Sequence, residues 1–130
     1  MSVPAAKTGL RVLLVEDSPL IAERMRDLLE TEAGAEVIYV ADDELGAIRA
    51  AREQQADVMI LDLQLRRGTG FNVLQALGKS RPTTIIMTNY ALPQYRARAK
   101  ELGVEYFLDK SADFDRLIGI LAEIERQRSF

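Results

Sequence analysis

Five polar residues stand at or just beyond the ends of apolar runs in this chain, and their types suit one kind of chemistry. Glu16 and Asp17 follow the run 10–15, Asp62 follows 58–61, Thr88 follows 84–87, and Lys110 comes two residues after Leu108. Three carboxylates gathered in one crevice would need a counter-ion. A hard divalent cation fits, and Mg2+ characteristically takes one or two carboxylates, keeps several waters and completes its octahedron with phosphate oxygens. With a phosphoryl donor present, a carboxylate can act as nucleophile and form an acyl phosphate, while metal, hydroxyl and ammonium neutralise the transferring oxygens. Thr88 supplies the hydroxyl and Lys110 the ammonium. Such transfer rests mostly on positioning and electrostatics, so the set is chemically complete without histidine.

Histidine is in fact absent, and so is cysteine. Those two absences remove thiol nucleophiles, disulfides, His-based triads and nearly all zinc sites. Lys and Arg total 17 against 20 Asp and Glu, a net charge of −3, which gives no pull toward nucleic acid or an anionic membrane. Neither is an expected direct partner. No apolar run approaches the ~20 residues that a spanning helix needs. Residues 1–9 carry no hydrophobic stretch after Lys7 and do not form a secretion signal. The expected location is the cytoplasm.

The elements that must position these groups follow from hydrophobic patterning. With 130 residues, 48% of them hydrophobic, the chain suits one globular domain. The runs 10–15, 58–61, 84–87 and 104–108 have the largely apolar character of strands buried on both faces, and 37–40 is a fifth, slightly more polar one. Helical spacing lies between them: Leu20, Ile21, Arg24, Met25, Leu28 and Leu29; then Leu45, Ile48 and Ala51; then Phe71, Leu74 and Leu77. Pro19 suits a first helical turn, Gly34 a helix stop, and Ser111 an N-cap for a last helix that aligns Phe114, Leu117, Leu121 and Ile124. Alternating strands and helices predict a doubly wound α/β domain, five parallel strands covered by helices on both sides. If the strand order is 2-1-3-4-5, the first and third strands are neighbours and the carboxylates meet outside their carboxyl ends.

The pieces VLLVEDS, VMILDLQL with GTGF, IIMTN and GVEYFLDKS, in this order and spacing, resemble the receiver domain of two-component response regulators. The resemblance covers nearly the whole chain, as a flexible leader over 1–9 and a receiver over 10–128 with no output domain. It implies a flavodoxin-like (βα)5 fold. It also implies that Asp62 is phosphorylated, that Asp17 binds Mg2+ directly with Glu16 acting through water, and that the Gln64 backbone carbonyl completes the protein ligands. Thr88 and Phe107 would be the switch pair, and Gln64 and Tyr90 would tune the lifetime of the acyl phosphate. The donor would be a histidine kinase or histidine phosphotransfer protein docking around Pro19, Leu20 and Ser111. A downstream protein effector would read the fourth helix, fifth strand and fifth helix, around Tyr95, Arg98 and Lys100, and a homodimer would use the same face. The receiver would catalyse only its own phosphoryl transfer and autodephosphorylation.

Four residues at three places depart from the family pattern. Ser111 replaces the proline usual after the lysine, Leu65 and Arg66 replace a Met-Pro pair, and Asn89 replaces the small residue after the threonine. The usual proline follows a cis bond, which costs about 3 kcal/mol before any other residue, so the loop after Lys110 either runs trans or carries strain. A charged pair such as Arg66 and Arg67 is ordinarily solvated, although it could meet an acidic partner. Two other readings stay open from the sequence: a pseudo-receiver whose contacts ignore phosphate, and a metal-dependent phosphatase with Asp62 as nucleophile.

Overall fold

The computed structural model describes residues 8–128. The expected leader lies outside the described residues except for Thr8 and Gly9, whose amides donate to the carbonyls of Ala33 and Gly34. The elements alternate along the chain: β1 (Arg11–Val15), α1 (Pro19–Glu32), β2 (Glu36–Ala41), α2 (Glu44–Glu53), β3 (Val58–Leu61), α3 (Gly70–Leu77), a short 3-10 turn (Gly78–Ser80), β4 (Thr83–Thr88), α4 (Pro93–Glu101), β5 (Tyr106–Asp109) and α5 (Arg116–Arg128). All strand pairs are parallel and the order is β2-β1-β3-β4-β5. This is the expected flavodoxin-like arrangement, and it sets the carboxyl ends of β1 and β3 side by side.

Alternation along the strands divides the core in two. Val12, Leu14, Ile60, Met87 and Leu108 pack toward α1 and α5, meeting Met25, Leu29, Leu117 and Leu121. Leu13, Val15, Met59, Leu61 and Ile86 face the other way, against Ala47 and Ala50 of α2 and Val73, Leu74 and Leu77 of α3. Each fully buried aliphatic side chain stabilises the fold by about 1.5–3 kcal/mol. Pro19 does open α1, where Ser18 caps the helix by accepting from the Ile21 amide at 3.3 Å. Gly34 follows its last turn at φ 59°, a left-handed stop that glycine adopts without a Cβ clash.

Some expected boundaries and faces are corrected. Leu20 and Leu45 are 58% and 74% exposed; α2 instead buries Ala47 and Ala50, small residues that let it approach the sheet closely. The run 104–108 yields a strand only from Tyr106. Val104 belongs to the cap of α4: its amide donates to Ala99 and that of Gly103, at φ 83°, to Lys100, the paired bonds of a Schellman stop. Ser111 is not an N-cap, because its amide and hydroxyl both donate to Asp109 Oδ1 and α5 begins five residues later. The helix α4 itself is very polar, with Ala99 its one buried residue, so no apolar stripe marks it in the sequence.

Candidate functional site

The site forms where β1, β3, β4 and β5 end. β3 pairs with β1 through Leu61 and Val15, so the next residue of each strand, Asp62 and Glu16, leaves the sheet at the same level. The Asp62 amide donates to Val15 and the Glu16 amide to Ala41, anchoring both backbones by the ladder. Glu16 and Asp62 are buried, at 3% and 7% exposure, while Asp17 is exposed. One oxygen from each of the three carboxylates lies within 4.8 Å of the other two. Opposite ligands of an Mg2+ octahedron stand about 4 Å apart, so the spacing of this cluster is compatible with such an ion.

Lys110 reaches the cluster from β5. Its ammonium donates to Asp62 Oδ2 at 2.7 Å and to Glu16 Oε1. Burial works against the ammonium, but hydrogen bonds and charge from Asp62 and Glu16 outweigh it and hold Lys110 above its ordinary value of 10.5. The remaining carboxylate oxygens are also engaged: Asp62 Oδ1 accepts from the Gln64 amide at 3.2 Å and Glu16 Oε2 from the Ser18 amide at 3.0 Å. Thr88 is fully buried at the end of β4. Its oxygen accepts from the Tyr90 amide at 3.1 Å and its carbonyl from the Lys110 amide at 2.9 Å, which leaves the hydroxyl proton free to donate.

The loop after Lys110 follows a trans path, since no cis peptide occurs among the described residues. Hydrogen bonds replace the ring constraint of a proline. Asp109 Oδ1 accepts from the Ser111 amide at 2.8 Å, the Ser111 hydroxyl at 2.7 Å and the Ala112 amide at 3.4 Å, and Asp113 Oδ2 accepts from the Asp109 amide at 3.0 Å. The Ser111 bonds hold the Asp109 carboxyl below its ordinary value of 3.8. A carboxylate depressed in the folded chain adds stability above its unfolded value and loses it as pH falls through the folded one. Asp109→Ala is therefore expected to lower the urea midpoint at neutral pH, with the gap to wild type narrowing below about pH 3.8. Parallel urea titrations between pH 3 and 7 check this.

The other expected residues lie around this centre. Gln64 is exposed, two residues beyond Asp62, and Tyr90, 46% exposed, opens the loop after β4. Phe107 is half-buried on β5 outside the acidic cluster, with the Arg96 guanidinium 4.7 Å above its ring and donating to its carbonyl at 3.3 Å. Arg66 is exposed, as expected of a charged loop, and its guanidinium lies 3.5 Å from Asp42 and 3.8 Å from Asp43. Sequence reasoning missed Glu44, whose Oε1 accepts from the Thr69 amide at 3.1 Å and Asn72 Nδ2 at 2.9 Å. The acidic run 42–44 follows β2 as Glu16 follows β1, so inspecting every strand end would have found it.

Comparison with known proteins bears on the family and the fold. The family profile of the response regulator receiver domain matches residues 12–122. The chain is 30% identical over 121 residues to the transcriptional regulatory protein BtsR of Escherichia coli, covering 92% of this chain and 50% of BtsR. It is 29% identical over 119 residues to the sensory transduction protein LytT of Bacillus cereus, covering 92% of this chain and 48% of LytT. The chain thus spans about half the length of these relatives. Among solved structures, the response regulator domain of Thermotoga maritima CheB superposes with a TM-score of 0.76 at 26% identity, covering 91% of this chain and 94% of that one. A LuxR-family two-component response regulator from Aurantimonas superposes with a TM-score of 0.82 at 27% identity, covering 91% and 86%.

Proposed function

Because this chain belongs to the response regulator receiver domain family, we propose that it is a phosphorylation switch of two-component signalling whose Asp62 accepts a phosphoryl group from a phosphohistidine on a separate protein. The observation that carries the reading is the meeting of three carboxylates with the Lys110 ammonium at the strand ends. An Asp62 carboxylate oxygen attacks phosphorus, an O–P bond forms as the N–P bond breaks, and the donor imidazole leaves with the electron pair. Lys110 and the Thr88 hydroxyl stabilise charge on the transferring oxygens. Glu16, Asp17, Asp62 and the Gln64 carbonyl would hold Mg2+, which supplies further neutralisation of those oxygens. Gln64 and Tyr90, both exposed beside the site, control the approach of water to the acyl phosphate.

A phosphoryl group adds roughly −1.5 to −2 charges and strong acceptor oxygens, which draws Thr88 toward it and re-packs Phe107. The α4, β5 and α5 face, with Arg98 and Lys100 exposed and Tyr95 half-buried, is then read by a protein effector or a second copy of the chain. Leu20 and Ser111, both exposed, flank the site where the donor docks. Among the described residues no helix is long and apolar enough to cross a membrane, and a cytoplasmic location completes the reading.

The direct test is incubation with acetyl phosphate followed by intact-mass spectrometry. A phosphoryl adduct that forms with Mg2+ and disappears with chelator is the expected result. Absence of an adduct under every condition would favour a pseudo-receiver, and sustained turnover of small phosphate esters would favour a phosphatase.

A further inference from the structure

The loop that leaves Asp62 is joined to the start of α2 by bonds on both sides. The Glu44 amide donates to the Arg67 carbonyl at 2.9 Å and the Arg66 amide to the Asp42 carbonyl at 3.2 Å. Above this pair of backbone bonds, Glu44 Oε1 takes both the Thr69 amide and the Asn72 side chain. Gly68, at φ 89°, leaves no room for a side chain because Glu44 occupies the space where a Cβ would sit. Thr69 in turn pairs with Gln64 across an isolated antiparallel bridge, and the Gln64 amide donates to Asp62 Oδ1 at 3.2 Å. A continuous set of contacts therefore runs from Glu44 through Thr69 and Gln64 to the Asp62 carboxylate.

We propose that Glu44 is a positioning residue of the Asp62 site: it holds the loop of residues 64–69 so that Gln64 presents its backbone to Asp62 and to a bound cation. The inference rests on the phosphoacceptor reading above. The cluster carboxylates are set by the strand ladder, but Gln64 lies beyond the ladder, and its orientation depends on what fixes Thr69. Outer partners of metal ligands matter because a ligand free to swing must be ordered at the moment of binding. The role of Glu44 is that of an acceptor, so a neutral amide oxygen at the same reach serves as well as a carboxylate.

Calorimetric titration of the whole chain with MgCl2 tests this. Glu44→Ala is expected to raise the Kd for Mg2+ about tenfold, while Glu44→Gln stays within about twofold of wild type. At saturating Mg2+ the labelling rate of Glu44→Ala by acetyl phosphate returns toward wild type, since the reacting groups are intact. Should the alanine variant not fold, Glu44→Asp, one methylene shorter, takes its place with the same expected direction. Wild-type Mg2+ affinity in the shortened variants overturns the proposal, as does a glutamine variant as weak as alanine. A wild-type chain that binds no Mg2+ sinks the phosphoacceptor reading along with this inference, whereas unchanged affinity in the shortened variants of a chain that does bind Mg2+ sinks this inference alone.

Discussion

Asp62→Asn is expected to take up no phosphoryl group from acetyl phosphate, a loss of more than about 10³-fold in labelling rate. The amide keeps the size of the carboxylate, and its oxygen can still accept from the Gln64 amide that now bonds Asp62 Oδ1. Lys110 keeps Glu16 as a partner, so no buried ammonium is left alone. The fold should survive while the nucleophile is lost. Intact-mass spectrometry after incubation with acetyl phosphate and Mg2+ reads the result, with circular dichroism to show that the variant is folded. An adduct of undiminished intensity would place the accepting group elsewhere and remove the basis for the switch.

Lys110→Met should produce two effects of different origin. The first is on stability. Glu16 and Asp62 have side chains only 2% and 9% exposed, and removing one member of a buried charged set costs about 3–5 kcal/mol because the others are left uncompensated. The crevice opens to solvent beside exposed Asp17, so the lower end of that range is expected in chelator. Added Mg2+ should restore part of it, since a cation can neutralise the same carboxylates. The gain in melting temperature on adding Mg2+ should therefore be larger in the variant than in wild type. The second effect is on rate: losing one donor aimed at developing charge costs about 10²–10³-fold, and saturating Mg2+ should not recover it. Thermal melts and labelling time courses, each with and without Mg2+, separate these effects. Equal Mg2+ responses in the two chains would contradict the placement of Lys110 among the acids.

The alternation of buried strands and amphipathic helices was legible in the sequence because both faces of the sheet are covered. Runs such as 58–61 can then be nothing but apolar, and their ends are sharply marked by charge. The cluster was legible for the same reason: Glu16, Asp62, Thr88 and Lys110 each stand at a place where the ladder stops, and strand order alone brings them together. What escaped the sequence depends on contacts rather than period. α4 has no apolar stripe because it buries little more than Ala99, so hydrophobic spacing could not reveal it. Val104 continues an apolar run yet turns into a helix cap, as backbone hydrogen bonding takes precedence over strand propensity there. The trans path after Lys110 turns on side-chain acceptors, Asp109 and Asp113, that no proline rule anticipates. Glu44 and Arg66 looked like ordinary surface charges, and only tertiary structure shows them stitching two loops.

The thin attachment of α4 has a mechanical consequence. Its hold on the body of the molecule includes one buried alanine, a tilted meeting of Tyr95 with Phe71 at 5.8 Å between ring centroids, and Arg96, which stacks on Phe107 and donates to its carbonyl. Sliding or rotating such a helix exposes little apolar area, so the penalty is of the order of a few side-chain contacts rather than a breach of the core. Within the proposed switch, a displacement of α4 would thus leave the packing of the two main cores on the sheet undisturbed.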